Sequence, residues 1–575
     1  MASETSSLLS RQTGSQQHLE VGAVSNHANI NRGNNSNASG NSSDSGKGNG
    51  NSNGKLYRED HMEEEFDTQT IASYDSVYNS DIDNGVPFDP EHGHAHRKTL
   101  GIPTATFLML NKMIGTGIFS IPSSVYELTG SVGWSLVLWI FGGLIAYSGL
   151  NVYLEFGVEI PKSGSEKNYL ERVFRRPKHL ALVTFAVSYL CLSHSTSNSY
   201  AFGLYIQLAA GVKETSESYT RVIAVITVLS CILLHGIFPR AGRYLFNALG
   251  FFKVVVLGII TMSGFLVLIG AIKLDNPPDN FTNMFQNDGM GGDVYSISIA
   301  LLRVFFSYRG WDNCNTVMGE IRNPAHTMGI AGPLAIGMVM FFYCFCNIAY
   351  FAVVSKQEIA DSGVIVAGKF CQIIFGDSVA ARVLPFFIAL SNLGNILVVS
   401  YAASRVTAEL GKHYLIPFSP IISSYKPFNT PFVGLLMHAS LTVILLVVPP
   451  PGRVYEFVVD LSTYPITFIS FSVTAGLIYL QFNRVKENWG NKPGSYHAPL
   501  YHSVAYLLTN LFLIIVPWIP PPYELKPGSF PYYAVPLGGI IIMTAGPLYW
   551  LHWRNSENAA RLDAEIEKGL YLQTS

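Results

Sequence analysis

Two short stretches of this chain set glycine beside polar or ionisable residues inside otherwise apolar text. One reads Gly115-Thr116-Gly117-Ile118-Phe119 and is followed by Pro122; the other reads Phe306-Ser307-Tyr308-Arg309-Gly310-Trp311-Asp312. Breaking an apolar helix at such places frees backbone N–H and C=O groups. Inside a membrane, freed groups are tolerated only where protein buries them or a watery cavity meets them. N–H groups at a half-helix N-terminus suit a carboxylate, and freed carbonyls suit an ammonium group. Paired, two such breaks would receive the α-carboxylate and α-amine of an amino acid. The plainer alternative is that these glycines only let helices pack closely.

The elements that must carry these residues are membrane helices. The 575 residues are 49% hydrophobic and only 13% charged, with a mean hydropathy of +0.27. Soluble domains carry about 25% charged residues, so soluble enzymes, nucleic-acid binders and secreted scaffolds fit poorly. The six cysteines (Cys191, Cys231, Cys314, Cys344, Cys346, Cys371) show no CxxC pairing, hence neither a disulfide framework nor a zinc pattern. No metal and no cofactor is expected.

From Ile102 onward, apolar runs approach or exceed the about 20 residues that a membrane helix needs. Twelve are expected, near 103–126, 133–158, 179–211, 220–238, 244–271, 294–319, 330–354, 378–410, 431–449, 455–482, 499–518 and 531–552. The fold class is therefore an all-α integral membrane protein. Its first and sixth spans are the broken ones, equivalent members of two inverted five-helix repeats, which is where a transporter site is expected.

Residues 1–98 hold 7 basic and 14 acidic residues, against 30 and 25 in the remainder. Asn29 to Gly54 is almost wholly Asn, Ser and Gly, too polar to order itself. A disordered acidic tail over 1–98, a transporter domain over 99–553 and a short C-terminal segment over 554–575 are the expected divisions. No cleavable signal peptide is expected. With a cytosolic N-terminus, 19 basic residues fall on the inner side and 8 on the outer, so both termini are expected in the cytosol. The tail's sequons at Asn34, Asn37 and Asn41 would then be silent, and Asn280-Phe281-Thr282 would face outward as a glycosylation candidate. Lys47 and Lys55, near the acidic run Glu63-Glu64-Glu65, would be open to ubiquitin or trafficking machinery. His92, His94 and His96 are a weak metal pattern in that tail.

Gly115-Thr116-Gly117-Ile118-Phe119 with Gly319-Glu320-Ile321-Arg322-Asn323-Pro324 resembles the amino acid–polyamine–organocation transporter superfamily, in particular its L-type branch. Asn111-Lys112-Met113-Ile114, Glu166-Lys167-Asn168-Tyr169-Leu170-Glu171, Asn347-Ile348-Ala349-Tyr350, Lys426-Pro427-Phe428-Asn429 and Pro449-Pro450-Pro451-Gly452 narrow the resemblance to fungal high-affinity methionine permeases. It covers roughly residues 100–553. It implies a ten-helix inverted-repeat core with two additional helices, and a plasma-membrane transporter importing a neutral amino acid, L-methionine first, by proton symport. An exchanger of large neutral amino acids and a transporter-fold nutrient sensor remain alternatives, while a membrane-embedded enzyme or a channel fits poorly.

By the same resemblance, Ile114, Gly115, Thr116 and Gly117 would take the carboxylate. Phe306 and Ser307 would offer carbonyls to the amine, with the Phe306 ring as outer gate and Tyr308 and Gly310 beside them. Cys191, Ser195, Asn198, Asn392 and Asn395 are further candidates for the side-chain pocket. Arg309 and Asp312 depart from the family pattern; three residues apart, they either neutralise each other or charge the pocket. Lys253 stands where proton-driven members carry a lysine in the place of a sodium ion. It is either a coupling group or a fixed structural cation. Glu155 and Glu159 are expected to make contacts on the cytosolic side. The outer loop Gly211 to Thr220 has no cysteine, so no covalently linked heavy chain is expected.

Overall fold

The computed structural model describes residues 101–567, apart from 163, 213, 377–379, 449–453, 492–493 and 523–529. The expectations for residues 1–98 and 568–575 lie outside the described residues. What is described is helical, with no sheet.

The first expected span arrives in three pieces: α1 (Ile102–Met113), α2 (Thr116–Ser120) and α3 (Pro122–Thr129). Pro103 and Pro122 sit in the first turns of α1 and α3, where a missing N–H costs nothing. Gly130, left-handed at φ 63°, ends α3 by giving its N–H to the Tyr126 carbonyl. Ser131 then caps α4 (Val132–Glu159), accepting from the Trp134 amide. A short connecting helix, α5 (Glu166–Val173), leads to α6 (Leu180–Leu192) and α7 (Thr196–Ala209). The run expected as one span over 179–211 is thus interrupted at Ser193–Ser195, a break that contains no glycine or proline.

Next come α8 (Glu217–Ile237), α9 (Pro239–Leu268) and α10 (Val294–Tyr308), which is followed by a 3-10 segment, Trp311–Glu320. After them run α11 (Pro324–Val353), α12 (Lys356–Ser362), α13 (Val366–Phe375) and α14 (Ala380–Lys412). The chain continues through α15 (Ser419–Ile422), α16 (Phe432–Val447), α17 (Val454–Phe482), α18 (Leu500–Ile515), α19 (Ala534–Trp553) and α20 (Glu557–Glu567). Among the described residues, nine helices are long and apolar enough to cross a membrane, counting α6 with α7 as one; α10 and α16 are apolar but shorter.

Large apolar side chains such as Trp134, Ile226, Leu233, Phe265 and Leu548 stand exposed on these helices, as a lipid-facing rim requires. The interior holds α4 against α11, α7 against α14 and α6 against α19. Glu155, wholly buried near the end of α4, accepts from Gln481 Nε2 (2.7 Å), Trp489 Nε1 (2.9 Å) and the Ala498 amide (2.8 Å). It fastens the α17–α18 connection over that end of α4.

One expectation fails here. The Asn280 amide is buried at 3% exposure and donates to the Phe351 (2.8 Å) and Val354 (2.7 Å) carbonyls. A glycan on that nitrogen would break one of these bonds and has no room.

Candidate substrate cavity

The last turn of α1 exposes four carbonyls that no further helical turn can satisfy. Each finds a side chain from elsewhere. Lys253 Nζ, fully buried in α9, donates to Asn111 O (2.6 Å) and Ile114 O (2.7 Å). Asn395 of α14 donates to Lys112 O (3.0 Å), and the Tyr343 hydroxyl of α11 donates to Met113 O (2.7 Å). Ile114 and Gly115 turn the backbone out of the helix, at φ/ψ of −77°/99° and −147°/−140°. The chain restarts at Thr116, whose amide reaches Asn198 Oδ1 at 3.4 Å. The buried Thr116 hydroxyl has no hydrogen-bond partner among the described residues. Gly115 is packed against Asn395 and Asn198, where even a methyl group would collide.

The second break lies directly alongside. α10 ends at Tyr308, and Gly310 turns at φ 133°, the left-handed region that favours glycine. A Cβ there would lie 2.8 Å from the Met113 backbone nitrogen. The Tyr343 hydroxyl also lies 3.1 Å from Ser307 O, so one side chain ties both breaks together. Asn315 anchors the 3-10 segment by donating to Tyr153 O (2.8 Å) and the Tyr169 hydroxyl (2.7 Å). Gly117 touches Ser307 closely: a Cβ would sit 2.6 Å from the Ser307 Cα. This glycine is required by helix packing.

A cavity of about 210 Å³ opens where the breaks meet. Of the expected site residues, Gly115, Thr116, Gly117, Phe306, Arg309 and Asp312 line it, with Ser195, Asn198 and Asn395. Ile114, Ser307, Tyr308 and Gly310 shape the breaks without lining the cavity. Tyr308 turns away, its hydroxyl on Trp139 O (3.0 Å) and its ring against Trp139 and Tyr343. The Phe306 and Ser307 carbonyls each already accept one bond, from the Arg309 amide and from Tyr343. Each keeps a second lone pair for an amine. Asn392 is buried and bonded within its own helix to Ile388 O. Cys191 is exposed and outside the cavity lining. Lys253 lies behind the first break, also outside the lining.

Arg309 lies 3.7 Å from Asp312 and 3.8 Å from Glu166 of α5, so the two departures face each other with a further carboxylate beside them. The Tyr153 hydroxyl is 3.2 Å from the same Glu166. With Lys112, the cavity wall therefore carries two basic residues and two carboxylates. Glu166 and Tyr343 were not among the candidates read from the sequence. Glu166 stands in a connecting segment and Tyr343 in an unbroken helix, so only the assembled fold brings them here. The same holds for the buried pair of Arg303 and Asp460, whose two bonds of 3.0 Å lock α10 against α17.

Comparison with known proteins shows which family the chain belongs to. The sequence pattern of the amino acid permease family matches residues 100–544. The high-affinity methionine permease of Saccharomyces cerevisiae is 38% identical over 477 residues, 82% of each chain. The low-affinity methionine permease of the same yeast is 30% identical over 461 residues, 79% of this chain and 82% of the relative. The b(0,+)-type amino acid transporter 1 of Mus musculus is 29% identical over 440 residues, 74% of this chain and 84% of the relative. The chain belongs to the amino acid permease family: it is a multi-pass membrane transporter and not an enzyme, and its substrate is an amino acid.

Proposed function

We propose that this permease imports a neutral amino acid, L-methionine, across the plasma membrane by proton symport with alternating access, with twelve spans and both termini cytosolic. The observation that carries the reading is the cavity between the two breaks, with basic and acidic residues equal in number on its wall. A zwitterion with an uncharged side chain enters such a wall without leaving a charge uncompensated, whereas a lysine or glutamate side chain would. The substrate carboxylate would meet the amides of Gly115 to Gly117 and the Thr116 hydroxyl. The amine would take the free lone pairs of the Phe306 and Ser307 carbonyls. Methionine itself is suggested by the two yeast relatives.

Lys253 would supply the coupling. Protonated, it holds the Asn111 and Ile114 carbonyls; on losing its proton it would relax the end of α1, linking proton release to the shape of the site. The two short bonds it makes also fit a permanently charged cation, and in that case the protein is an exchanger. Uptake of labelled methionine into liposomes by the purified protein separates these readings. Symport predicts accumulation under an inward proton gradient, and exchange predicts uptake only against preloaded amino acid. No methionine uptake in either mode would overturn the substrate assignment. No covalent heavy chain is needed in this reading, so the chain expressed alone should run as a single band on non-reducing gels and be active. A reducible heterodimer with no activity when expressed alone would refute that.

A further inference from the structure

Between α6 and α7 the chain leaves the helix for three residues, Ser193, His194 and Ser195, and all three line the cavity. Two histidines hold this break in opposite proton arrangements. A backbone amide can only donate, so the Thr196 N–H fixes His194 Nδ1 as an acceptor (3.4 Å). The His194 proton is then on Nε2, directed at Ser462 Oγ of α17 (3.0 Å). In α16, His438 does the reverse. Its Nδ1 donates to Ser193 O (3.0 Å), and its Nε2 accepts from the Ser195 hydroxyl (3.2 Å). Thr442 accepts from the Ser195 amide (3.2 Å) and donates to His438 O (2.8 Å).

His438 and Thr442 thus spend their groups on the break itself. The His194 Nε2–H is different. The Ser462 hydroxyl already has its own proton on Val458 O, so losing the histidine costs Ser462 only an accepted bond. The Nε2–H is therefore free to exchange Ser462 for a ligand. Phe185, Tyr189, Leu192, Val399 and Ile466 supply apolar walls to the same cavity. The four charged lining residues belong to α1, α5 and the α10 break. Asn198, which touches the Thr116 amide, lines the same cavity as His194, so the imidazole and the proposed carboxylate site share one cavity.

We propose that His194 is a specificity-determining residue that reads the substrate side chain, its Nε2–H donating to an uncharged acceptor in an otherwise apolar pocket, as the sulfur of a thioether provides. A thioether is a weak acceptor that aliphatic side chains of the same length lack. This inference rests on the methionine reading.

The test is competition between methionine and norleucine, which replaces the sulfur with a methylene, for labelled methionine on the purified protein. The wild type should favour methionine by about five-fold or more, the scale of one net hydrogen bond. His194→Leu should bring that ratio to about two-fold or below, and His194→Gln, which keeps an N–H donor, should restore part of it. A histidine that only supports the break would weaken both ligands together, so an unchanged ratio in His194→Leu overturns the proposal. Equal binding of both ligands by the wild type overturns it as well. Should His194→Leu not fold, Ser462→Ala decides. Removing the competing acceptor should leave the ratio equal or higher, and a fall would refute the assignment. A wild type that binds no methionine defeats the substrate reading itself and this inference with it.

Discussion

The break after α1 and the break between α6 and α7 open the backbone into the same cavity by opposite means. The first is made by local backbone freedom: Gly115 takes a conformation that its crowded surroundings would deny to a side chain, and four carbonyls are then capped from α9, α11 and α14. The second has no permissive residue, and is held by His438 and Thr442 from α16. A glycine break can change shape, because the backbone itself has alternatives. A break without glycine lacks that freedom of its own and follows the helix that holds it. The first therefore suits the moving, coupled half of the site, and the second suits a stationary pocket wall.

That contrast can be broken at several points. The largest effect is expected from Lys253→Met, which strands two buried carbonyls at about 1–3 kcal/mol each. Methionine uptake should be abolished and the melting temperature lowered; normal gradient-driven accumulation would remove Lys253 from both the break and the coupling. Tyr343→Phe removes the hydroxyl shared by Met113 O and Ser307 O and should cost about 1–3 kcal/mol. Uptake should fall roughly ten-fold while the His194-dependent preference for methionine persists, which a ratio measurement would check.

His438→Leu leaves Ser193 O without its donor, at about 1–2 kcal/mol. It should blur the choice between methionine and norleucine more than it slows transport. If it slowed transport alone, the second break would be a moving part and the contrast would fail.

The smallest effect concerns pH at the α17–α18 connection. Burial pushes the Glu487 carboxyl up, but its bonds to Arg172 and the Tyr479 hydroxyl, with Arg175 nearby, hold it below the usual glutamate range. A lowered folded pKa contributes stability above the unfolded value, lost only as pH falls through the folded one. The protection factor of amides in this connection, exchange corrected for its intrinsic pH dependence, should therefore be flat from neutral pH down to about 5 and fall at pH below about 4. Arg172→Ala, which brings the folded value back toward the unfolded one, should shrink that fall.

How much of this was legible differs between the two breaks for the same physical reason. Gly115, Gly117 and Gly310 announce themselves because only glycine tolerates their surroundings. Ser193, His194 and Ser195 read as ordinary helix, since the groups that unwind them lie some 245 positions later. The spacing of Arg309 and Asp312 suggested a pair, and they do face each other. Glu166 joins them only because α5 folds back beneath the α10 break, which no local pattern records. Asn280 shows the converse, a sequon whose amide the tertiary structure had already claimed.

The central claim is that the two glycine breaks form the amino acid site, and a structure of the protein with bound methionine tests it most directly. The account predicts the carboxylate within about 3 Å of the Gly115 to Gly117 amides and the amine at a similar distance from the Phe306 or Ser307 carbonyl. Methionine bound away from both breaks, with Gly115 to Gly117 and Phe306 free of contact, would contradict it.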